Sequence, residues 1–266
     1  MSTPAASAVI SADHRDRLDR LGYLKLEGFI APDLRQRLVE RIEALLAAEG
    51  ERAGSEFKQE PGARRLANLV DKAPLFADCI AVPELLAYVG HVIGDRFKLS
   101  SLNARSAEPR NGIDQPLHAD GGSLPDERGF WVCNTAWMLD DFTPENGAIR
   151  VVPGSHHAGR LPEAALADPK ARHPDQVVVS GRAGDVVVFN AHLWHGGLAN
   201  RTDRPRLAMH AYYCRWDKPQ QQHQKPSLRP EVQARLTPAQ RLVCALDDPL
   251  NDELSSAGQG RSGFLR

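Results

Sequence analysis

After residue 98 the chain becomes a series of short runs rich in β-branched and aromatic residues, and turn-forming residues separate the runs. Runs of this length and composition predict β-strands. Because no long helical segments lie between them, they favour an antiparallel barrel or sandwich over a parallel sheet with crossover helices. The runs read FKLSSLNARS, FWVCNTAWMLDD, AIRVVPGSH, DQVVVSG, DVVVFNAHLWHGG and RLAMHAYYCRW.

The residues before this region have a largely helical pattern. Apolar residues recur on one face after APD, a typical helix start, and a second helical segment surrounds VPELLAYVGHVIG. Near the other end, LTPAQRLVCAL predicts a short helix that begins with a capping box between Thr237 and Gln240. We therefore expect a mainly β fold with flanking helices.

We expect the 266 residues to form a single domain, since all-β domains of this size are common. Residues 1–12 are expected to be a tail and 13–98 a mainly helical support. Residues 99–216 then form the β core, and 217–266 form a loop and a short helix, with an irregular segment from residue 251 onward.

Charge and cysteine content exclude several classes of function. The formal net charge is -1 and no dense lysine or arginine run is present, so we expect no nucleic-acid partner. The four cysteines form no C-x-x-C pair, which indicates reduced thiols. Neither a signal peptide nor a membrane helix is predicted, so we expect a cytoplasmic monomer or homodimer that acts on a small molecule.

Two other motifs have structural interpretations. Gly258, Gly260 and Gly263 spell G-x-G-x-x-G, but no strand precedes them and no apolar helix follows, so we expect no dinucleotide site there. The segment PENGAIRVVPGSHH predicts tight turns, with His156 and His157 as polar surface residues.

The segment QPLHADGG carries a candidate metal-binding pair. In a strand, His118 and Asp120 point to the same side, about 6.5 to 7 Å apart along the chain, within reach of one ion. A second imidazole would complete a 2-His-1-carboxylate triad, which binds iron(II) and leaves other coordination positions open. The candidates are His192 and His195, which face opposite sides of a strand. His195 is favoured because two glycines follow it and allow a close turn.

A candidate anchor for an acidic cosubstrate follows eleven residues after His195. Arg206 begins an apolar strand, and a guanidinium can bind a carboxylate through two hydrogen bonds. Ala208 lies on the same face of the strand and leaves room for a ligand. The competing interpretation is a surface arginine in a loop that also holds Arg201 and Arg204.

Taken together, these segments resemble the phytanoyl-CoA dioxygenase family of iron(II)- and 2-oxoglutarate-dependent oxygenases. His118-x-Asp120 precedes DDFTPENGAIRVVPGSHH, then GDVVVFNAHLWHGG and Arg206, and the early segment LGYLKLEGFI is also similar to that family. The resemblance spans residues 17–216, and its combined order and spacing are more specific than any single part. It implies a double-stranded β-helix, a cupin-like jelly roll whose mouth holds the metal.

The resemblance also implies a set of site residues and a reaction. His118, Asp120 and His195 would bind iron(II), and Arg206 would bind the far carboxylate of 2-oxoglutarate, with O2 as the oxidant. The expected reaction hydroxylates an unactivated C–H bond of a small natural-product, amino-acid or acyl molecule, and it releases succinate and CO2. Related halogenases lack the carboxylate, so Asp120 favours oxygenation, while desaturation, cyclisation and peroxide formation stay open.

Further cosubstrate contacts follow from the resemblance. Gln115 matches a glutamine that some members direct at 2-oxoglutarate, a role that requires Pro116 to bend the strand. Asn103, on the preceding strand, is another polar candidate. Ile149 departs from the family, many members of which carry threonine there, and Thr135 is the candidate to supply the missing hydrogen bond.

One candidate substrate residue lies in the loop GGSLPDERGF, which directly follows the predicted metal ligands. Arg128 could meet an anionic group of the substrate, although a solvated loop arginine is the competing interpretation. Trp131 and Trp194 are candidates for the mouth of the site, whereas Trp137 and Trp216 are expected in the core.

Two alternatives from other classes stay open at this point. The first is a metal-binding barrel that does not use 2-oxoglutarate and acts as a sensor or binding module. The second is a zinc hydrolase on a similar barrel, which also keeps an open metal position.

Overall fold

The structure is a computed structural model that describes residues 9–56 and 59–258. Most of its longer helices precede the β core, as the sequence pattern predicts. The helices are α1 (Ala12–Leu21), α2 (Pro32–Glu49), α3 (Leu69–Lys72), α4 (Pro74–Cys79), α5 (Pro83–Ile93), α6 (Pro162–Ala165), α7 (Gln224–Ser227), α8 (Pro230–Arg235), α9 (Pro238–Val243) and α10 (Pro249–Gly258). None of these helices is both long and apolar enough to cross a membrane.

Helix α1 has a clear start and end. The Ser11 side chain accepts a hydrogen bond from the His14 backbone N–H at its start. At its end Gly22 has a φ of 81°, and a Cβ there would lie 2.6 Å from the Nδ1 atom of His156. Only glycine satisfies both the left-handed conformation and this close approach.

The strands form two antiparallel sheets. Their bounds are β1 (Tyr23–Leu26), β2 (Ala63–Leu66), β3 (Phe97–Ala107), β4 (Val132–Met138), β5 (Ile149–Val151), β6 (Val177–Val179), β7 (Val186–Asn190), β8 (His195–Gly197) and β9 (Arg206–Arg215). Among the described residues, one sheet has the order β1-β7-β4-β9-β3-β2 and the other β6-β5-β8. This confirms the antiparallel prediction, while β1 and β2 add strands to a region predicted as helical.

Strand β9 separates the core from a cavity. Leu207, Met209 and Tyr213 belong to the main hydrophobic cluster, together with residues of α2 and α5. Arg206 and His210, which alternate with them, line the cavity. The face of β9 that carries Arg206, which the sequence analysis assigned to ligand binding, is therefore the face that lines the cavity.

The carboxyl-terminal region differs in part from the prediction. The capping box of Thr237 and Gln240 is present and begins α9, as predicted. The irregular segment expected from residue 251 is wrong, because residues up to Gly258 belong to α10. This helix is ordered by long-range polar contacts: Asn251 donates to the side chain of Gln220, and Ser255 accepts from its backbone N–H. Gly260 and Gly263 of the glycine motif lie outside the described residues.

The segment QPLHADGG is not a regular strand. Only an isolated bridge pairs His118 with His195, and Asp120 begins a short 3-10 turn, Asp120–Gly122. Gly121, with a φ of 64°, allows the chain to turn sharply behind the carboxylate.

Candidate metal centre

Three side chains converge on the wall of the cavity. His118, Asp120 and His195 offer ligand atoms that all lie within 4.8 Å of one another. Two backbone hydrogen bonds between His118 and His195 hold the loop against the start of β8, with N···O distances of 2.9 and 3.0 Å. The Asp120 backbone N–H donates to the Ala191 carbonyl, which fixes the start of the turn.

The histidine rings are oriented for metal binding. Nδ1 of His118 lies 2.9 Å from the Pro116 carbonyl, and Nδ1 of His195 lies 2.8 Å from the Leu193 carbonyl. A carbonyl only accepts, so each Nδ1 carries the proton and each Nε2 lone pair is free. These Nε2 atoms lie 3.8 and 3.5 Å from Oδ1 of Asp120. The donor set therefore fits the 2-His-1-carboxylate triad typical of iron(II).

The three groups also shift each other's protonation. Burial, together with the nearby His195, lowers the pKa of His118 to about 4, so its ring is neutral at pH 7. Burial alone would raise the pKa of Asp120, but the two histidines and a hydrogen bond from Asn134 hold it below its ordinary value. Burial likewise opposes the charged form of His195, yet Asp120 raises its pKa overall. Asp120 is thus a negatively charged carboxylate next to the two imidazoles.

Asn134 is a site residue that the sequence interpretation missed. Its Nδ2 donates to Oδ2 of Asp120 at 2.8 Å, which leaves Oδ1 facing the two imidazoles. Asn134 and Thr135 are adjacent in β4, so only one of them can face the cavity. The available signal was the pair of polar residues in an otherwise apolar strand. The sequence interpretation assigned the site role to Thr135 instead of Asn134.

Thr135 lies on the opposite face of β4, and the structure does not bring it to the cavity. Its hydroxyl lies 3.2 Å from the Ala211 carbonyl, to which it donates, and it accepts from the Trp137 indole N–H at 3.2 Å. The side chain is fully buried in the core. A hydroxyl with both roles occupied cannot replace the threonine expected at Ile149, which lines the cavity instead.

Arg206 is buried at the cavity wall, in contrast to the exposed Arg201 and Arg204. One Nη2 N–H donates to the Gly147 carbonyl at 2.6 Å, and the guanidinium carbon lies 4.1 Å from the centre of the Phe142 ring. Its Nε has no hydrogen-bond partner, and among the described residues the guanidinium forms no ion pair, although the charges of Asp140 and Glu60 act on it from a greater distance. Burial lowers the pKa of Arg206, which nevertheless remains cationic at pH 7.

Gln115 and Asn103 both line the same cavity. The chain around Pro116 is irregular, so Gln115 and the metal-binding segment reach one space despite their odd spacing. The Gln115 amide is already engaged, because its Oε1 accepts from Gly197 N–H at 2.7 Å and its Nε2 donates to Glu60. Asn103 donates to the Ser101 hydroxyl at 3.2 Å, and its Oδ1 has no partner.

The predicted substrate residues lie away from the cavity lining. Arg128 is exposed, 3.6 Å from the carboxylate of Asp217. The indole N–H of Trp131 donates to the Leu124 carbonyl at 2.7 Å, and that of Trp194 to the Arg160 carbonyl at 3.1 Å. Both rings are therefore held by neighbouring loops, and the structure does not bring these three residues to the metal centre.

Three other histidines, His156, His157 and His192, lie outside the cavity lining. His192 is buried and hydrogen-bonded to Asn190 at 2.8 Å, outside the cavity lining. His156 is buried, so its assignment to the surface is wrong, whereas His157 is exposed. Both rings lie within hydrogen-bond distance of the Asp19 carbonyl near the end of α1, and the ring of His156 also lies close to Gly22.

A family model described as phytanoyl-CoA dioxygenase matches residues 18–208. Among the curated proteins, dioxygenase af480 of Aspergillus fumigatus is 26% identical over 242 residues, with 88% of this chain and 76% of that protein covered. L-Proline trans-4-hydroxylase of Streptomyces griseoviridis is 25% identical over 232 residues, and the match covers 76% and 86% of the two chains.

Solved structures show the same fold. EctD from S. alaskensis, with 2-oxoglutarate and 5-hydroxyectoine, has a TM-score of 0.66 at 25% identity, covering 79% of this chain and 77% of that one. HygX from Streptomyces hygroscopicus, with nickel and 2-oxoglutarate, has a TM-score of 0.65 at 22% identity, covering 80% and 90%. These similarities confirm the predicted jelly-roll class with flanking helices.

Proposed function

Because the chain belongs to the phytanoyl-CoA dioxygenase family and is a 2-oxoglutarate-dependent dioxygenase, we propose that it hydroxylates an unactivated C–H bond of a small organic molecule. The reaction uses iron(II), 2-oxoglutarate and O2, and it releases succinate and CO2. His118, Asp120 and His195 hold the metal, and Arg206 holds the cosubstrate.

The observation that carries this proposal is the pairing of two features in one cavity. One is a set of two histidines and an aspartate with free ligand atoms. The other is the buried guanidinium of Arg206, which has no acidic partner among the described residues. A buried unpaired cation is costly, and a ligand carboxylate offsets that cost. A metal site beside an unpaired arginine fits a keto acid that chelates the metal and extends a second carboxylate to the arginine.

When bound, iron(II) supplies the activation of O2 that is coupled to oxidative decarboxylation of 2-oxoglutarate. The residues of the chain bind and orient the reactants. The Pro116 and Leu193 carbonyls keep the two imidazoles in the ligand tautomer. Asn134 restrains one oxygen of Asp120 and directs the other at the metal. No residue is assigned as a general acid or base.

Apolar residues shield the same space. Phe189 and Ile149 line the cavity next to the metal ligands. The Phe189 ring lies edge-on to His195, with 4.9 Å between the ring centroids. These side chains exclude water from the cosubstrate and limit the rotation of His195.

Two further observations support a small substrate and a hydroxylation outcome. The cavity volume is about 580 Å³, which is within the range of sites for small molecules. Asp120 occupies the carboxylate position, and the relative from Streptomyces griseoviridis is named as a proline hydroxylase.

The test is anaerobic addition of iron(II) and 2-oxoglutarate to the purified protein. We expect a weak visible charge-transfer band, together with slow succinate formation once O2 is admitted. His195→Ala should lose both, whereas the control His157→Ala, which changes an exposed histidine, should keep both. Absence of the band in the unmodified protein, with iron bound, contradicts the proposal.

A further inference from the structure

The cavity contains a second group of charged residues, which the metal centre does not use. The Glu60 carboxylate accepts two hydrogen bonds from Arg105, at 3.0 and 2.9 Å, and two from Arg65, at 3.2 and 2.8 Å. The Gln115 amide also donates to it. All four residues line the cavity that holds the metal triad. Of these residues, Arg65 and Arg105 are called the arginine pair, and Glu60, which binds both, is called its clamp.

The arginine pair and its clamp carry a net positive charge. Burial alone would raise the pKa of Glu60, but the hydrogen bonds and charges of Arg105 and Arg65 lower it to about 2, so Glu60 is ionised at neutral pH. One carboxylate therefore faces two cations. The Nε and Nη2 atoms of each arginine make the bonds to Glu60, and in the described part of the chain neither Nη1 has a hydrogen-bond partner.

The arginine pair lies on a different part of the sheet from the cosubstrate anchor. Arg65 and Arg105 are direct cross-strand partners in β2 and β3, at one edge of the larger sheet. Arg206 is on β9, where it pairs with Ala107 at the end of β3. The positive charge of Arg105 nevertheless acts on Arg206 and lowers its pKa, so an anion bound at either position also reduces the repulsion between these guanidiniums.

The pair is held in place and only slightly exposed. The side chains of Arg65 and Arg105 are 17% and 13% exposed, so water screens them less than ordinary surface arginines. By contrast Glu163, which is the acidic residue of the cavity lining besides Glu60 and the metal-site Asp120, is exposed to solvent. A fixed guanidinium pair in a partly enclosed space favours binding of carboxylates and phosphonates.

We propose that Arg65 and Arg105 bind an anionic group of the substrate, so that the substrate is a small organic carboxylate or phosphonate. This proposal rests on the proposed function above. Glu60 and Gln115 are positioning residues, because they fix the direction of the guanidiniums. The anionic group then lies at the arginine pair, and the part of the substrate that carries the C–H bond to be oxidised extends from there toward the metal.

The experiment uses the full chain loaded with zinc(II), which is redox-inert, and with saturating 2-oxoglutarate. Ligand-observed NMR compares small carboxylic acids and methylphosphonates with neutral amides and esters of the same skeletons. We expect the acids to bind and the neutral partners not to bind. Preference for carboxylates or for phosphonates identifies which anionic group the substrate carries. Equal binding of neutral partners, or no binding of any acid, overturns the proposal without any variant.

Two neighbouring arginines provide a matched pair of variants. Arg65→Gln should weaken binding of the acids by about tenfold or more. Arg64→Gln should leave it unchanged, because Arg64 is exposed on the other face of β2 and pairs with Glu108. Unchanged binding in Arg65→Gln overturns the proposal. So does a loss of 2-oxoglutarate affinity that parallels the loss of acid binding, since the arginines then belong to the cosubstrate site.

The same samples separate the two proposals. If 2-oxoglutarate binds to the unmodified protein and the acids do not, the substrate inference fails while the proposed function stands. If 2-oxoglutarate itself does not bind, the proposed function fails.

Discussion

Removing the Arg206 guanidinium is the most direct perturbation of the proposed cosubstrate site. In Arg206→Ala the cavity loses a buried cation that has no acidic partner among the described residues. Breaking one partner of a buried charge pair costs about 2 to 5 kcal/mol, which corresponds to about a 30-fold to 4,000-fold rise in the 2-oxoglutarate Kd. We expect the result near the upper part of this range, because Arg206 is almost completely buried.

The variant should remain folded. Arg206 contributes one hydrogen bond, to the Gly147 carbonyl, and its burial without a counter-charge disfavours the ligand-free state. The Tm without 2-oxoglutarate should therefore change little, while the rise in Tm on adding 2-oxoglutarate should disappear. This difference separates a binding role from a structural one.

The assay is titration of 2-oxoglutarate under anaerobic conditions, followed by the visible band and by calorimetry. Arg201→Ala is the matched control, since Arg201 is an exposed arginine only five positions earlier. A 2-oxoglutarate Kd within threefold of the unmodified value in Arg206→Ala would refute the assignment of Arg206.

Three further changes test the site and the fold. Asn134→Ala frees Oδ2 of Asp120 and should weaken iron(II) binding about 10- to 100-fold in a metal titration, while an unchanged affinity would contradict the positioning role. Glu60→Gln should cost on the order of 2 to 3 kcal/mol in the free energy of unfolding at pH 7. A lowered pKa stabilises the fold above the ordinary value, so this cost should shrink as the pH falls from 4.5 toward 2, and a constant difference in denaturation curves would be inconsistent with it. Thr237→Ala removes the capping box of α9 and should cost about 0.5 to 2 kcal/mol by urea denaturation, with Thr237→Ser expected to retain most of the stability.

The sequence was informative where local rules control the structure. The alternation in β9 separates Arg206 and His210 from the core residues Leu207 and Met209, and the structure keeps that division. Thr237 forms its capping box for the same reason, since all the atoms involved lie within four residues. Patterns of this kind depend on strand and helix geometry alone.

Local rules failed where the contact partner is distant in sequence. The choice between Asn134 and Thr135 depends on which face of β4 meets Asp120, and neighbouring residues do not specify this. Helix α10 was missed because Asn251 is ordered by Gln220, more than thirty positions away. The arginine pair and its clamp were missed because Glu60 and Arg105 carry no motif until β2 pairs with β3.

The sequence by itself determined the antiparallel class, and it identified the residues that the resemblance to the family implies for a metal and a keto acid. These follow from the periodicity of the strands and from the order and spacing of His118, Asp120, His195 and Arg206. Only the tertiary structure decided that His118 and His195 are bridged, and that Arg206 is buried without a counter-charge among the described residues. The physical reason is that orientation and desolvation arise from contacts between distant segments, whereas chemical type and spacing are local.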